Sequence, residues 1–135
     1  MSKRISRILF AFFMVLMFVS CKNTKQKLQE YVTAYNGKAA TFKSENVTLT
    51  TARGYINDNK IELRFETNLK ENDSNKSAAS VSFPKLLKEM INKDQIPEEL
   101  IKEGVQFDAY FLADDNTVLD KEVLNNEMLD VLLKK

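Results

Sequence analysis

Twice along this chain apolar side chains recur at every second position, and this alternation limits the fold more than any other feature. Val47, Leu49, Thr51, Arg53 and Tyr55 alternate with Thr48, Thr50, Ala52 and Gly54. After the turn formers Asn57, Asp58 and Asn59, Ile61, Leu63 and Phe65 alternate with Glu62, Arg64 and Glu66. A period of two puts successive side chains on opposite faces of an extended strand, so this stretch predicts a hairpin with one apolar and one charged face. The pattern returns after Gly104. There Val105, Phe107, Ala109 and Phe111 oppose Gln106, Asp108 and Tyr110, and Asp114-Asp115-Asn116 turns the chain into a last strand over residues 117–123.

Around these strands the apolar period is helical. Leu28, Tyr31, Val32 and Tyr35 fall at i, i+3, i+4 and i+7 and predict a helix that stops near Asn36-Gly37, with Gly37 taking a left-handed cap. Residues 68–80 hold one large apolar side chain among many turn formers and read as a mobile loop. Ser82 before Phe83-Pro84 is a helix-start signature, and Leu86, Leu87, Met90 and Ile91 supply its apolar stripe. Pro97 opens a short helix through Glu98, Glu99, Leu100 and Ile101 that stops at Gly104. Asn125 or Asn126 caps a final helix bearing Met128, Leu129, Leu132 and Leu133, and Lys134-Lys135 complement its C-terminal dipole. The fold class is therefore α+β, in the order α-β-β-α-α-β-β-α: a four-stranded antiparallel sheet of two hairpins packed against helices. One sheet is preferred to two because an isolated hairpin is only marginally stable.

The first residues belong to a different pattern. Lys3, Arg4 and Arg7 precede twelve uncharged apolar residues, 8–19, and then Ser20 and Cys21, the only cysteine. That is the order of n-region, h-region and cleavage site in an export signal. Twelve residues make about 18 Å of helix, short of the ~30 Å hydrocarbon core, which suits a cleaved signal better than a permanent span. The chain divides into a signal peptide at 1–20, a lipidated cysteine with a polar tether at 21–27, and a single α+β domain at 28–135.

Phe18-Val19-Ser20-Cys21 resembles a bacterial lipobox, with Phe18 where leucine is usual. The resemblance implies cleavage between Ser20 and Cys21, diacylglycerol transfer and acylation (such as palmitate) on Cys21, and an outer-membrane lipoprotein that faces the periplasm or is exposed at the surface. Lys22-Asn23 partly resembles the export tag on surface lipoproteins of Bacteroidota-type bacteria, without the acidic residues of that tag. The succession of helix, hairpin, helical pair, the Glu103-Gly104-Val105 junction and hairpin loosely resembles small uncharacterised envelope lipoproteins of the same bacteria. No functional residue carries over from it. The alternative is an uncleaved signal anchor over residues 5–20, with Cys21 a bystander.

Composition narrows the chemistry. All 19 acidic residues follow Cys21, whereas three of the 20 basic ones leave with the signal, so the mature chain has 17 basic against 19 acidic residues, a net charge of −2. Interspersed signs without a basic stripe speak against nucleic acid as a partner. With no histidine and its one cysteine committed to lipid, the chain has neither a Ser-His nor a Cys-His nucleophile pair, no catalytic residue is assigned, and the usual zinc ligands are missing. Asp114, Asp115, Asn116 and Asp120 offer oxygen near a turn. An EF-hand, however, needs glycine and glutamate where this chain has Leu119 and Asn125. Neither a metal nor a cofactor is expected.

What is left is a tethered, non-catalytic module that binds an envelope protein partner, anchored to the membrane through Cys21. Tethering raises its effective concentration along the surface. The alternative is a small-ligand or lipid-binding domain with an apolar pocket lined by some of Phe65, Phe83, Phe107, Tyr110 and Phe111. Arg64, Asp108 and Tyr110, on the polar face of the sheet, are the candidate binding surface.

Overall fold

A computed structural model of the chain describes residues 23–133. The export segment, Ser20, Cys21 and the closing Lys134-Lys135 lie outside the described residues. Helix α1 spans Thr24–Lys38, and Asn23 starts it by accepting the Gln26 N–H on its carboxamide oxygen at 2.9 Å. Residues 24–27, expected to be tether, are thus its first turn. The helix runs through Gly37, which stays out of the left-handed region, and tightens into a 3-10 turn at Ala39–Thr41.

Strand β1 (Val47–Tyr55) and strand β2 (Lys60–Thr67) form the first hairpin, closed by a 3-10 turn at Ile56–Asp58 and by Asn59 in the left-handed region. Strands β3 (Gln106–Leu112) and β4 (Val118–Leu124) form the second. The expected single sheet is observed, in the order β1-β2-β3-β4. It is mixed, however, and not purely antiparallel as expected: β2 and β3 run parallel, with Ile61 opposite Phe107 and Phe65 opposite Phe111. The reason lies in the link. Two antiparallel strands can be joined by a tight turn, whereas residues 68–105 are long and helical enough to carry the chain back across the sheet and start β3 beside the start of β2.

That crossover also corrects the reading of residues 68–80. Helix α2 spans Asp73–Asn92, so most of the supposed loop is helical. Asn72 caps it, accepting the Asn75 N–H at 2.7 Å, and Ala79 packs into the core. Tertiary burial and a good cap outweigh weak local propensity here. Pro84, taken for a first-turn proline, sits inside the helix. The short α3 (Glu98–Lys102) ends as expected at Gly104, whose φ of 100° allows Val105 N–H to reach Leu100 O at 3.0 Å. In α4 (Asn126–Leu133), Asn125 is the cap: its side-chain oxygen accepts the Met128 N–H at 3.0 Å.

The helices cover one face of the sheet. From β2 that face presents Ile61, Leu63 and Phe65, and from β3 Phe107, Ala109 and Phe111, all buried. The edge strand β1 contributes only Thr50, Ala52 and Gly54, opposite Phe65, Leu63 and Ile61. Small residues are needed there because α1 lies close above: a Cβ on Gly54 would come within 3.0 Å of Leu28 Cδ2 and 3.3 Å of Val32 Cγ2. Among the described residues no helix is long and apolar enough to cross a membrane.

Candidate functional site

The open face of the sheet carries the expected surface residues. Parallel pairing sets Arg64 opposite Tyr110 and Glu62 opposite Asp108, so Arg64, Asp108 and Tyr110 do share one face. Their environments differ. Arg64 is exposed, while Asp108 is buried because Gln106 Nε2 donates to its Oδ1 at 2.8 Å and Lys60 Nζ stands 3.6 Å from its Oδ2. Lys121 Nζ lies 5.3 Å from the centre of the Tyr110 ring, and Lys60 Nζ 4.9 Å from that of Tyr55, within cation–π range. Lys60 with Asp108 is the one ion pair on this face among the described residues, and Arg64 stands exposed without one.

The space that the alternative reading gave to an apolar pocket between sheet and helices is filled. Phe65, Phe83 and Phe107 are fully buried, and the rings of Phe65 and Phe111 stand 5.4 and 5.0 Å from that of Phe83. Tyr110 points to the opposite face. An interior lined by these aromatics is closed core.

Two open clefts lie at the margins instead. One, of about 450 Å³, runs between the approach to β1 and the outer face of α2, with Glu45, Lys85 and Glu89 among its lining. The other, of about 670 Å³, lies between the second half of α1, the 3-10 turn that follows, and the turn after α2. Helical spacing puts Tyr31, Tyr35 and Lys38 on one stripe of α1, and Phe42 adds a third ring, 5.7 Å from Phe65. The phenol groups are fixed. Tyr31 donates to Gln95 O at 2.7 Å. Thr50 donates to Arg64 O at 3.0 Å, so the 2.6 Å contact between Tyr35 and Thr50 has the tyrosine as donor. Burial pushes the Tyr35 hydroxyl up to about 12 and raises that of Tyr31 as well, so both stay protonated donors at neutral pH.

The far wall of this cleft is Lys93-Asp94-Gln95. Asp94 takes the left-handed conformation, φ 59°, while its N–H bonds Ile91 O at 3.1 Å and the Gln95 N–H bonds Met90 O at 2.8 Å. This closes α2 as a Schellman motif with aspartate where glycine is usual. Lys38, Lys43 and Lys93 are exposed around the opening, and Asp94 is the one carboxylate in its lining. Helical periodicity alone assigns the stripe of α1 to the core and gives no weight to these lysines. Tyr31, Tyr35 and Lys38 at i, i+4 and i+7 were a visible signal, but Lys93 joins them only through the parallel crossover.

Asp120 and Glu122 pair with Phe111 and Ala109 across β3 and β4 and so share the helix-covered face. Desolvation raises both above the ordinary carboxylate range, and the charge of Asp120 raises Glu122 further. Asp120 Oδ2 is buried without a hydrogen-bond partner. Among the described residues no group of three or more metal-ligating side chains is assembled.

No protein-family model and no curated protein matches the chain. Among solved structures it is similar to the Type II secretion system pilotin AspS from Vibrio cholerae, with 15% identity, a TM-score of 0.39, and coverage of 76% of this chain and 94% of that one. At that level of likeness nothing is carried from the pilotin to this chain.

Proposed function

We propose that this chain is a lipid-anchored protein of the bacterial envelope whose domain holds a protein partner and catalyses no reaction. The observation that carries this reading is where the fold begins. Asn23 caps α1 two residues after Cys21, so only Lys22 separates the cysteine that ends the lipobox-like motif from the cap of the first helix. Three residues of extended chain span at most about 10 Å, and a lipid on Cys21 would hold the start of α1 at the headgroups. Lys27 ties that end of α1 to α3 through ion pairs of 3.2 Å to Glu99 and 3.1 Å to Glu103. The filled core supports a binding role at the surface over an enclosed ligand site. The catalytic case is weakened by the lack of histidine and by the engagement of Asp108 with Lys60 and Gln106.

The test is fractionation of cells that produce the wild-type chain or Cys21→Ser, followed by cross-linking in intact envelopes. Wild-type protein in the outer membrane with diacylglyceryl-cysteine at its N-terminus, and release or stalling of the serine form, is the expected result. Equal membrane association of the two forms would replace the lipoprotein with a signal anchor.

A further inference from the structure

The cleft between the second half of α1 and the turn after α2 joins three features that its neighbours do not. Its floor is aromatic, from Tyr31, Tyr35 and Phe42. Its opening carries Lys38, Lys43 and Lys93, none of which has an ion-pair partner among the described residues. The hydroxyls of Tyr31 and Tyr35 are already engaged with Gln95 and Thr50, which leaves ring faces and ammonium groups as what the cleft offers a ligand. A complementary occupant has a flat or branched apolar side chain to lie on the rings and carboxylates on either side of it.

We propose that this cleft docks an acidic segment of a partner protein, one apolar or aromatic side chain seated between Tyr31, Tyr35 and Phe42 and flanking carboxylates paired with Lys38, Lys43 and Lys93. The proposal deepens the binding role above and rests on it for the nature of the partner. Position favours a protein over a lipid surface. Lys38 lies fourteen residues along α1 from Thr24, about 20 Å of helix, so a chain held by Cys21 presents the cleft at the end of α1 away from the bilayer. The lysines have a second use, since Lys38 and Lys93 complement the negative ends of α1 and α2. Lys43 has no such helix to serve. Helix complementation alone would affect stability and leave binding unchanged.

The test uses the full chain in phosphatidylcholine nanodiscs and a synthetic peptide that alternates Asp and Glu with Phe and Leu, beside a copy with lysine at every acidic position. Binding of the acidic peptide alone is expected. It should weaken about tenfold or more in the combined variant Lys38→Glu, Lys43→Glu, Lys93→Glu, because three rim pairs of modest strength are reversed together, with a lower melting temperature from the two helix ends that still leaves the domain folded in the assay, and Lys43→Glu alone should weaken binding at unchanged melting temperature. Lys121→Glu, on the open face of the sheet, should leave affinity unchanged, and Asp94→Asn should tighten it. Equal affinity of the wild type and the combined variant would overturn the proposal. So would displacement of the peptide by phosphatidylglycerol in the disc, which would assign the cleft to lipid headgroups. Because the peptide measurement does not depend on acylation, it can fail while Cys21 fractionation succeeds, and the reverse.

Discussion

The Asn36 side chain seals the outer edge of β1 at Ala52. Its Nδ2 donates to Ala52 O at 2.9 Å, and Ala52 N–H donates to its Oδ1 at 2.8 Å. A side-chain amide thus takes the place a further strand would occupy, on an edge whose other face groups pair with β2. Replacement by alanine leaves both backbone groups of a buried residue without that partner. Asn36→Ala is expected to lower stability by about 1 to 3 kcal/mol in urea unfolding and to promote association at the β1 edge. A variant as stable as wild type and monomeric by sedimentation would mean that water fills the place of the amide.

Gly54 is set by contact and not by backbone conformation, since it lies outside the left-handed region and faces Leu28 and Val32 at Cβ distances of 3.0 and 3.3 Å. Gly54→Val should push α1 off the edge strand and destabilise the domain by about 1 to 3 kcal/mol, with smaller loss for Gly54→Ala. The order of the two melting temperatures is the readout. Equal values would rule out crowding as the cause.

Pro84 breaks the bonding of α2 because it has no N–H to offer the carbonyl of Ser80 four residues before. An interior proline is about 3 kcal/mol worse than alanine in a helix, part of which is returned by a stiffer unfolded chain. Pro84→Ala is expected to stabilise the protein by about 1 to 2 kcal/mol, as shift of the urea midpoint at constant slope. Destabilisation would show that the proline ring itself supports the packing of Phe83 and Leu87.

Asp120 and Glu122 make stability depend on pH. Their folded-state pKa values stand above the ordinary 3.8 and 4.5, so the folded chain holds protons that the unfolded chain has released. The contribution of this pair is greatest in acid and declines as pH rises from those values through the folded ones. Asp120→Asn should flatten that decline and raise the melting temperature near neutrality, while near pH 4 the two proteins converge. Thermal unfolding across that range decides it, and parallel curves for the two proteins would remove the pair from the account.

Where local chemistry settles the structure, residues could be read in order. The alternation at Ile61, Leu63 and Phe65, the stop at Gly104, the Pro97 start and the cap at Asn125 each depend on a few neighbours in sequence, and all are observed. Where structure depends on distant packing, reading stopped short. Asn72 starts α2 among residues of weak propensity because Ala79, Phe83 and Leu87 have a sheet to lie on. Neither hairpin contains the information that β2 and β3 are parallel. The same holds for function: Arg64, Asp108 and Tyr110 share a face as strand periodicity requires, but the burial of Asp108 depends on Gln106 and Lys60, and the three-lysine cleft on the meeting of α1 with the end of α2.

The parallel pairing of β2 with β3 also governs how the domain must form. Each hairpin can zip from its own turn, yet the two central strands come together only after residues 68–105 have been drawn into a loop. Closing that loop is opposed by chain entropy until the pairing of Ile61 with Phe107 and Phe65 with Phe111 rewards it. Contact order therefore predicts that the meeting of the two halves is the slow step of folding. Until it occurs, each half presents an unpaired strand and bare aromatic rings, so it is this half-assembled chain, not the finished one, that is most open to association with its own kind.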